Sequence, residues 1–149
     1  MTTLLKLENL NVSFKTPRGL LKAVRDVTVE LQAGESLGIV GESGSGKTIT
    51  ALSMLRLAGD AQLGGQALFD GRDLLRLPER EMRAVRGGDV AMIFQEPMTA
   101  LNPLFTIGAQ IAEVLTLKEG LSGKQAWQRA VALLDETGIP QPARRAHSY

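Results

Sequence analysis

Eight consecutive residues concentrate the chemistry of this chain: Gly41-Glu42-Ser43-Gly44-Ser45-Gly46-Lys47-Thr48. They match the spacing G-x-x-x-x-G-K-[ST] in full, which is that of a phosphate-binding loop, or P-loop. In such a loop the backbone N–H groups turn inward and cradle phosphate oxygens, helped by the positive end of the helix that follows. Gly44 and Gly46 permit backbone angles and a close approach that a Cβ would hinder. Lys47 brings a positive charge to the β- and γ-phosphates, and the Thr48 hydroxyl is placed to ligate Mg²⁺. The chemistry expected of the loop is therefore to hold a nucleoside triphosphate with Mg²⁺.

The context expected of a P-loop is a strand that leads in and a helix that leads out. Ser36-Leu37-Gly38-Ile39-Val40 is a short apolar run that predicts a buried strand before the loop. Residues 47–58 predict the helix after it, apolar around most of its circumference, with Gly59 as its stop. Upstream, Leu5 to Val12 and Ala23 to Leu31 alternate like half-buried strands around a Thr16-Pro17-Arg18-Gly19 turn. Downstream, Gln66 to Phe69 predicts a strand closed by Asp70-Gly71. Glu79 to Arg86 predicts a short helix with Pro78 at its first position and Gly87 past its end. Val90-Ala91-Met92-Ile93-Phe94 predicts another buried strand. Two amphipathic helices close the pattern. Thr106 caps the first, which carries Ile107, Ile111, Val114 and Leu115 on one side and stops at Gly120. Ser122 and Gln125 form a capping box for the second, which buries Trp127, Ala130, Leu133 and Leu134 and ends near Gly138-Ile139-Pro140.

The composition excludes several function classes. The 149 residues are 44% hydrophobic and 22% charged with a formal net charge of +1, ordinary for one domain or part of one. No basic face marks a nucleic-acid binder; the stretch Arg80 to Arg86 and the pair Arg144-Arg145 read as solvated surface. Cysteine is absent, which excludes disulfides and thiolate metal sites. No secretory signal is visible, and no run reaches the roughly 18 apolar residues of a membrane span.

The P-loop together with Met92-Ile93-Phe94-Gln95-Glu96-Pro97-Met98-Thr99-Ala100-Leu101-Asn102-Pro103 resembles the ATP-binding subunits of ABC transporters, in the version found in importers of dipeptides, oligopeptides, nickel and glutathione. The likeness runs over the whole chain, through Gly65-Gln66-Ala67-Leu68-Phe69-Asp70-Gly71 and the helix into Gly138-Ile139-Pro140. It implies an α/β P-loop NTPase fold of the ABC type, here incomplete. Residues 1–104 would hold the β-subdomain, the P-loop strand and helix and the Q-loop; residues 105–149 would begin the helical subdomain. It implies ATP and Mg²⁺ as cofactors, held by Gly41, Glu42, Ser43, Gly44, Ser45, Gly46, Lys47 and Thr48. Gln95 matches the Q-loop glutamine that touches Mg²⁺ and the attacking water; its neutral amide coordinates without adding charge beside the γ-phosphate. Phe14 stands where the family places an aromatic that stacks on adenine, often Tyr. The segment Glu96 to Leu104 corresponds to the part that faces integral membrane subunits. A second ABC ATPase domain is the other expected partner, with a solute-binding protein engaged only indirectly. The expected location is peripheral, on the cytoplasmic face of the inner membrane.

The family's remaining catalytic parts are not matched. No apolar strand ending in Asp-Glu follows Gln95, and the only histidine, His147, reads as a surface residue in a stretch that resembles the run-up to the family's signature sequence. Leu121-Ser122-Gly123-Lys124-Gln125 imitates that signature but falls too early and is better read as a helix cap. The chain thus reads as the N-terminal half of an ABC ATPase. As it stands it could be a nucleotide-binding or structural fragment without turnover, with apolar faces around Ile39, Val40 and Ile93 lacking cover. A soluble ABC ATPase of DNA repair or translation fits the Met98 to Pro103 segment and the near-neutral charge poorly.

Overall fold

A computed structural model describes residues 2–95 and 100–149. The chain forms two compact units, Met1–Arg86 and Gly87–Tyr149. Glu96, Pro97, Met98 and Thr99 lie outside the described residues, so the first four residues of the membrane-facing segment expected over Glu96 to Leu104 have no structural account here.

The first unit is built on a four-stranded sheet of order β2-β1-β3-β4, antiparallel throughout. Strands β1 (Thr3–Thr16) and β2 (Gly19–Gln32) form a long hairpin around Pro17 and Arg18. β3 (Gln62–Phe69) joins the other edge of β1, and the short β4 (Arg72–Asp73) follows through the Asp70-Gly71 turn. Helices α1 (Lys47–Met54) and α2 (Glu79–Val85) complete the unit. Its core holds Leu7, Leu10, Val12, Val24, Leu55, Ala67, Leu74, Met82 and Val85.

Two irregularities shape this sheet. Opposite β3, the register of β1 slips between Glu8 and Asn11. Gly65 sits at the slip with φ +82°, and a Cβ there would lie 2.2 Å from the Asn9 carbonyl oxygen. Only glycine lets the two backbones approach so closely. Opposite β2, Val12 pairs with Val24 but Ser13 pairs with Lys22, leaving Ala23 as an extra residue, a β-bulge. Opposed residues share a face, as do alternate residues of one strand. Val12, Val24, Phe14 and its partner Leu21 therefore share one face of the hairpin.

The second unit packs α3 (Ile107–Glu119) against α4 (Gly123–Glu136), with a short α5 (Pro142–Arg145) after them. Leu115, Ala126 and Ala130 are buried, with Ile111, Ala112, Leu121 and Leu133 packed around them. The Thr106 hydroxyl accepts from the Ala109 N–H at 3.4 Å, and Gly120 ends α3 at φ +68°. Both halves of the Ser122–Gln125 capping box form. The far end of the unit folds back. The Ile107 and Gly108 N–H groups donate to the Ser148 and Ala146 carbonyls, each at 2.8 Å. The rings of Trp127 and His147 lie 4.8 Å apart.

Several expectations are corrected. Residues 36–40 and 91–94 form no strand. Strands exist through their neighbours, and none pairs with these segments among the described residues, leaving Val40 93% and Ile93 98% exposed. Helix α1 stops at Met54 rather than Ala58 and buries only Thr50 and Ser53. Pro78 is the N-cap of α2 rather than its first residue. Val114 of α3 faces outward.

Candidate functional site

Helix α1 begins directly out of the P-loop, and Gly46 is its N-cap with φ +93°. The Gly46 carbonyl accepts both the Thr50 N–H at 2.8 Å and the Thr50 hydroxyl at 2.9 Å. No side chain caps this end, and no acidic residue stands in the first turn. The first-turn N–H donors, which lack intrahelical partners, thus meet no competing carboxylate at the positive end of the helix.

The loop rests on the bulged part of the hairpin. A Cβ on Gly46 would lie 2.8 Å from the Ala23 carbonyl oxygen and 3.4 Å from Val24 Cγ2. Glycine is thus required twice, for its angle and for this approach. Within the loop the Ser45 N–H donates to the Glu42 carbonyl at 3.2 Å. The Lys47 ammonium donates to the Gly41 carbonyl at 2.7 Å, the Glu42 carbonyl at 2.7 Å and Ser45 Oγ at 3.3 Å. A lysine has three donors, and here all three are aimed back onto the loop. A cation is thus held at the helix end where a cation is least welcome, and the two positive features together favour an anion. Thr48 stands beside it with its side chain exposed.

A cleft of about 310 Å³ runs along this loop, lined by Leu21, Lys22 and Ala23 and by Gly44 to Ile49. The hairpin wall is a contribution that sequence reading missed. The bulge at Ala23 creates it, and no residue type announces that register. Phe14 falls on the same face as Leu21 and Val24, half-buried, and so on the side of the hairpin against which Gly46 packs. Gln95 belongs to the second unit and is exposed.

Of the arginines from Arg80 to Arg86, Arg80 and Arg83 are exposed as expected, and Arg86 departs from the solvated reading. Arg86 is half-buried; its Nε donates to the Leu55 carbonyl at 2.8 Å and its Nη1 to Glu79 Oε1 at 2.7 Å. The hydrogen bond from Arg86, aided by the charges of Arg86, Arg56 and Arg83, holds the Glu79 carboxyl below its ordinary range. In the second unit Leu101, Ile107, Ile111, Leu134, Ile139 and Pro140 line an almost wholly apolar groove of about 540 Å³. Among the described residues no cluster of three or more His, Cys, Asp or Glu could hold a metal, and no helix is long and apolar enough to cross a membrane.

Residues 24–149 match the family model described as ABC transporter. The oligopeptide transport ATP-binding protein OppD of Salmonella typhimurium is 46% identical over 147 residues, covering 98% of this chain and 44% of its own length. A putative peptide import ATP-binding protein of Brucella abortus is 49% identical over 148 residues, covering 98% and 45% respectively. The chain therefore spans less than half the length of these relatives. Among solved structures, the dimeric cassette MJ0796 in a post-hydrolysis state with ADP and phosphate superposes with a TM-score of 0.81 over 97% of this chain and 61% of its own. At 22% identity that likeness concerns the fold.

Proposed function

This chain belongs to the ABC transporter family, and from that premise we propose that it is the nucleotide-holding part of an ATP-driven, energy-coupling subunit of a peptide-class importer. The observation that carries the proposal is the P-loop itself. Its lysine, its uncapped helix end and its glycine contact with the hairpin converge on one cleft of about 310 Å³.

In this reading the backbone N–H groups of Gly44 and of Gly46 to Thr48 bind the phosphates, and Lys47 exchanges its loop carbonyls for phosphate oxygens. Carbonyl and phosphate acceptors are interchangeable to an ammonium, and the charged acceptor makes the stronger bond. The donors are pre-set by the helix rather than ordered on binding, which lowers the cost of capture. The Thr48 hydroxyl and the Gln95 amide oxygen are the ligands offered to Mg²⁺, whose charge, when bound, offsets that of the β- and γ-phosphates. Phe14 and Leu21 offer the base an apolar platform. Gln95 orients the water for phosphoryl transfer, and Lys47 stabilises charge as it moves toward the leaving oxygen.

The partners follow from the second unit. Leu101 lies in the described part of the expected membrane-facing segment and borders the apolar groove. Leu104 is 79% exposed. Apolar surface of this kind is what a short helix of an integral membrane subunit would cover. The subunit would then sit peripherally on the cytoplasmic face and close against a second cassette, as the MJ0796 structure is dimeric.

Isothermal titration with MgATP tests the core of the proposal. Wild type binds, and Lys47→Ala reduces affinity at least tenfold, the loss of roughly one charge-assisted bond. Equal binding by the two proteins refutes it. A phosphate-release assay, with Lys47→Ala as the blank, tests turnover.

A further inference from the structure

Arg56 occupies a position that glycine usually fills. It follows the C-cap of α1, Leu55, and its backbone is left-handed at φ +53°. The Arg56 N–H donates to the Ser53 carbonyl at 3.0 Å, and the Leu57 N–H to the Leu52 carbonyl at 2.8 Å. This is the bonding of a Schellman terminus. A side chain in that conformation is strained and persists where the surroundings hold it.

The surroundings here form a closed circuit. Arg56 Nη1 donates to the Leu77 carbonyl at 2.5 Å and Nη2 to Glu79 Oε2 at 2.9 Å. The other oxygen of Glu79 accepts from Arg86 Nη1 at 2.7 Å. Arg86 Nε then returns to the Leu55 carbonyl at 2.8 Å. The path leaves the end of α1, crosses the first residue of α2, and comes back to α1. One carboxylate serves both guanidinium groups, so neither can shift without the other.

We propose that the Arg56–Glu79–Arg86 circuit is a positioning device for the P-loop, setting nucleotide affinity from the opposite end of α1. The proposal rests on the nucleotide reading above. Its physical basis is the shortness of the helix. Eight residues span about 12 Å, so a tilt allowed at one end displaces the other by a comparable distance. The donors at that other end must meet phosphate oxygens within a few tenths of an ångström. Cations at the C-terminal end also reinforce the dipole whose positive end faces the phosphates. None of the three residues lines the cleft along the P-loop; they are positioning residues.

The test compares MgATP affinity in wild type, Arg56→Gly, Glu79→Gln and Lys47→Ala, each at a temperature where circular dichroism shows it folded. Arg56→Gly suits the left-handed backbone and removes only the tether. Arg56→Gly and Glu79→Gln are expected to weaken MgATP about 5- to 10-fold, within the usual range of coupling between sites. Arg56→Lys, a charge without the two-pronged reach, is expected to fall between Arg56→Gly and wild type. Should Arg56→Gly not fold, Glu79→Gln decides. Lower melting temperatures with wild-type affinity would mean a structural tether only and overturn the proposal. Wild-type affinity in both circuit variants beside a large loss in Lys47→Ala sinks the positioning role and leaves the nucleotide site standing. Failure of wild type itself to bind MgATP overturns both.

Discussion

Gly46→Ala separates the two demands placed on the P-loop glycines. At Gly46 the backbone is left-handed, φ +93°, and a new Cβ would stand 2.8 Å from the Ala23 carbonyl oxygen, where ordinary contact begins at 3.4 Å. The conformation costs an alanine ~1–2 kcal/mol. Relieving the overlap requires loop and hairpin to part by about half an ångström, an overpacking cost of ~1–3 kcal/mol. Gly44 is a built-in control. Its φ is +80°, but a Cβ there meets nothing within 4 Å, so Gly44→Ala carries only the ~1–2 kcal/mol of the conformation. Urea melts followed by circular dichroism should therefore rank wild type above Gly44→Ala and Gly44→Ala above Gly46→Ala. Titration with MgATP should show the same order more steeply. Displacing the first-turn donors forfeits at least one bond to a charged acceptor, ~1.5–3 kcal/mol, or about tenfold or more in affinity. Equal losses at the two glycines would refute the close approach of loop and hairpin as the reason glycine is needed at position 46.

Three further outcomes are expected. Phe14→Ala should weaken MgATP several-fold, as loss of ~0.5–1.5 kcal/mol of stacking does, while Phe14→Tyr keeps wild-type affinity; a competition titration reads both. The Glu79 carboxyl is held below its ordinary value of 4.5, chiefly by the hydrogen bond from Arg86. Its stabilising contribution is therefore fully present above pH 4.5 and is lost as the pH falls through the lower folded-state value. Glu79→Gln should flatten that part of the acid limb in pH-dependent melts. Ser122→Ala removes the capping box of α4 and should cost the second unit about 1 kcal/mol in a denaturant melt.

Local signals in the chain were readable where one residue type has one mechanical use. The Thr106 cap, the Gly120 stop and the Ser122–Gln125 box all name backbone groups a few residues away, and each forms where expected, as does the helix that starts at Lys47. Apolar runs were less informative. Ser36 to Val40 and Val90 to Phe94 have the composition of buried strands, but composition carries no record of which neighbour supplies the hydrogen bonds. The exposed Val40 and Ile93 show how far burial depends on that neighbour. The hairpin wall of the cleft depends on one extra residue at Ala23, and register is a property of a strand pair rather than of either strand. Arg86 was misjudged for a related reason. In sequence it is one of several basic residues among glutamates, and only the fold brings Leu55 and Glu79 to its two faces.

The fold-back of the helical unit bears on how the chain acquires its structure during synthesis. The first-turn donors of α3 at Ile107 and Gly108 are satisfied by carbonyls at Ser148 and Ala146, about forty residues later, a separation that makes the contact slow and non-local. A ribosome releases the chain from its N-terminus at ~5–20 residues per second. For some seconds α3 must therefore wait with its leading amides open to water, while the hairpin of the first unit, whose strands are adjacent in sequence, can already close. Hydrogen exchange on stalled nascent chains should find the Ile107 and Gly108 amides unprotected until Ser148 clears the exit tunnel, and protected together after it.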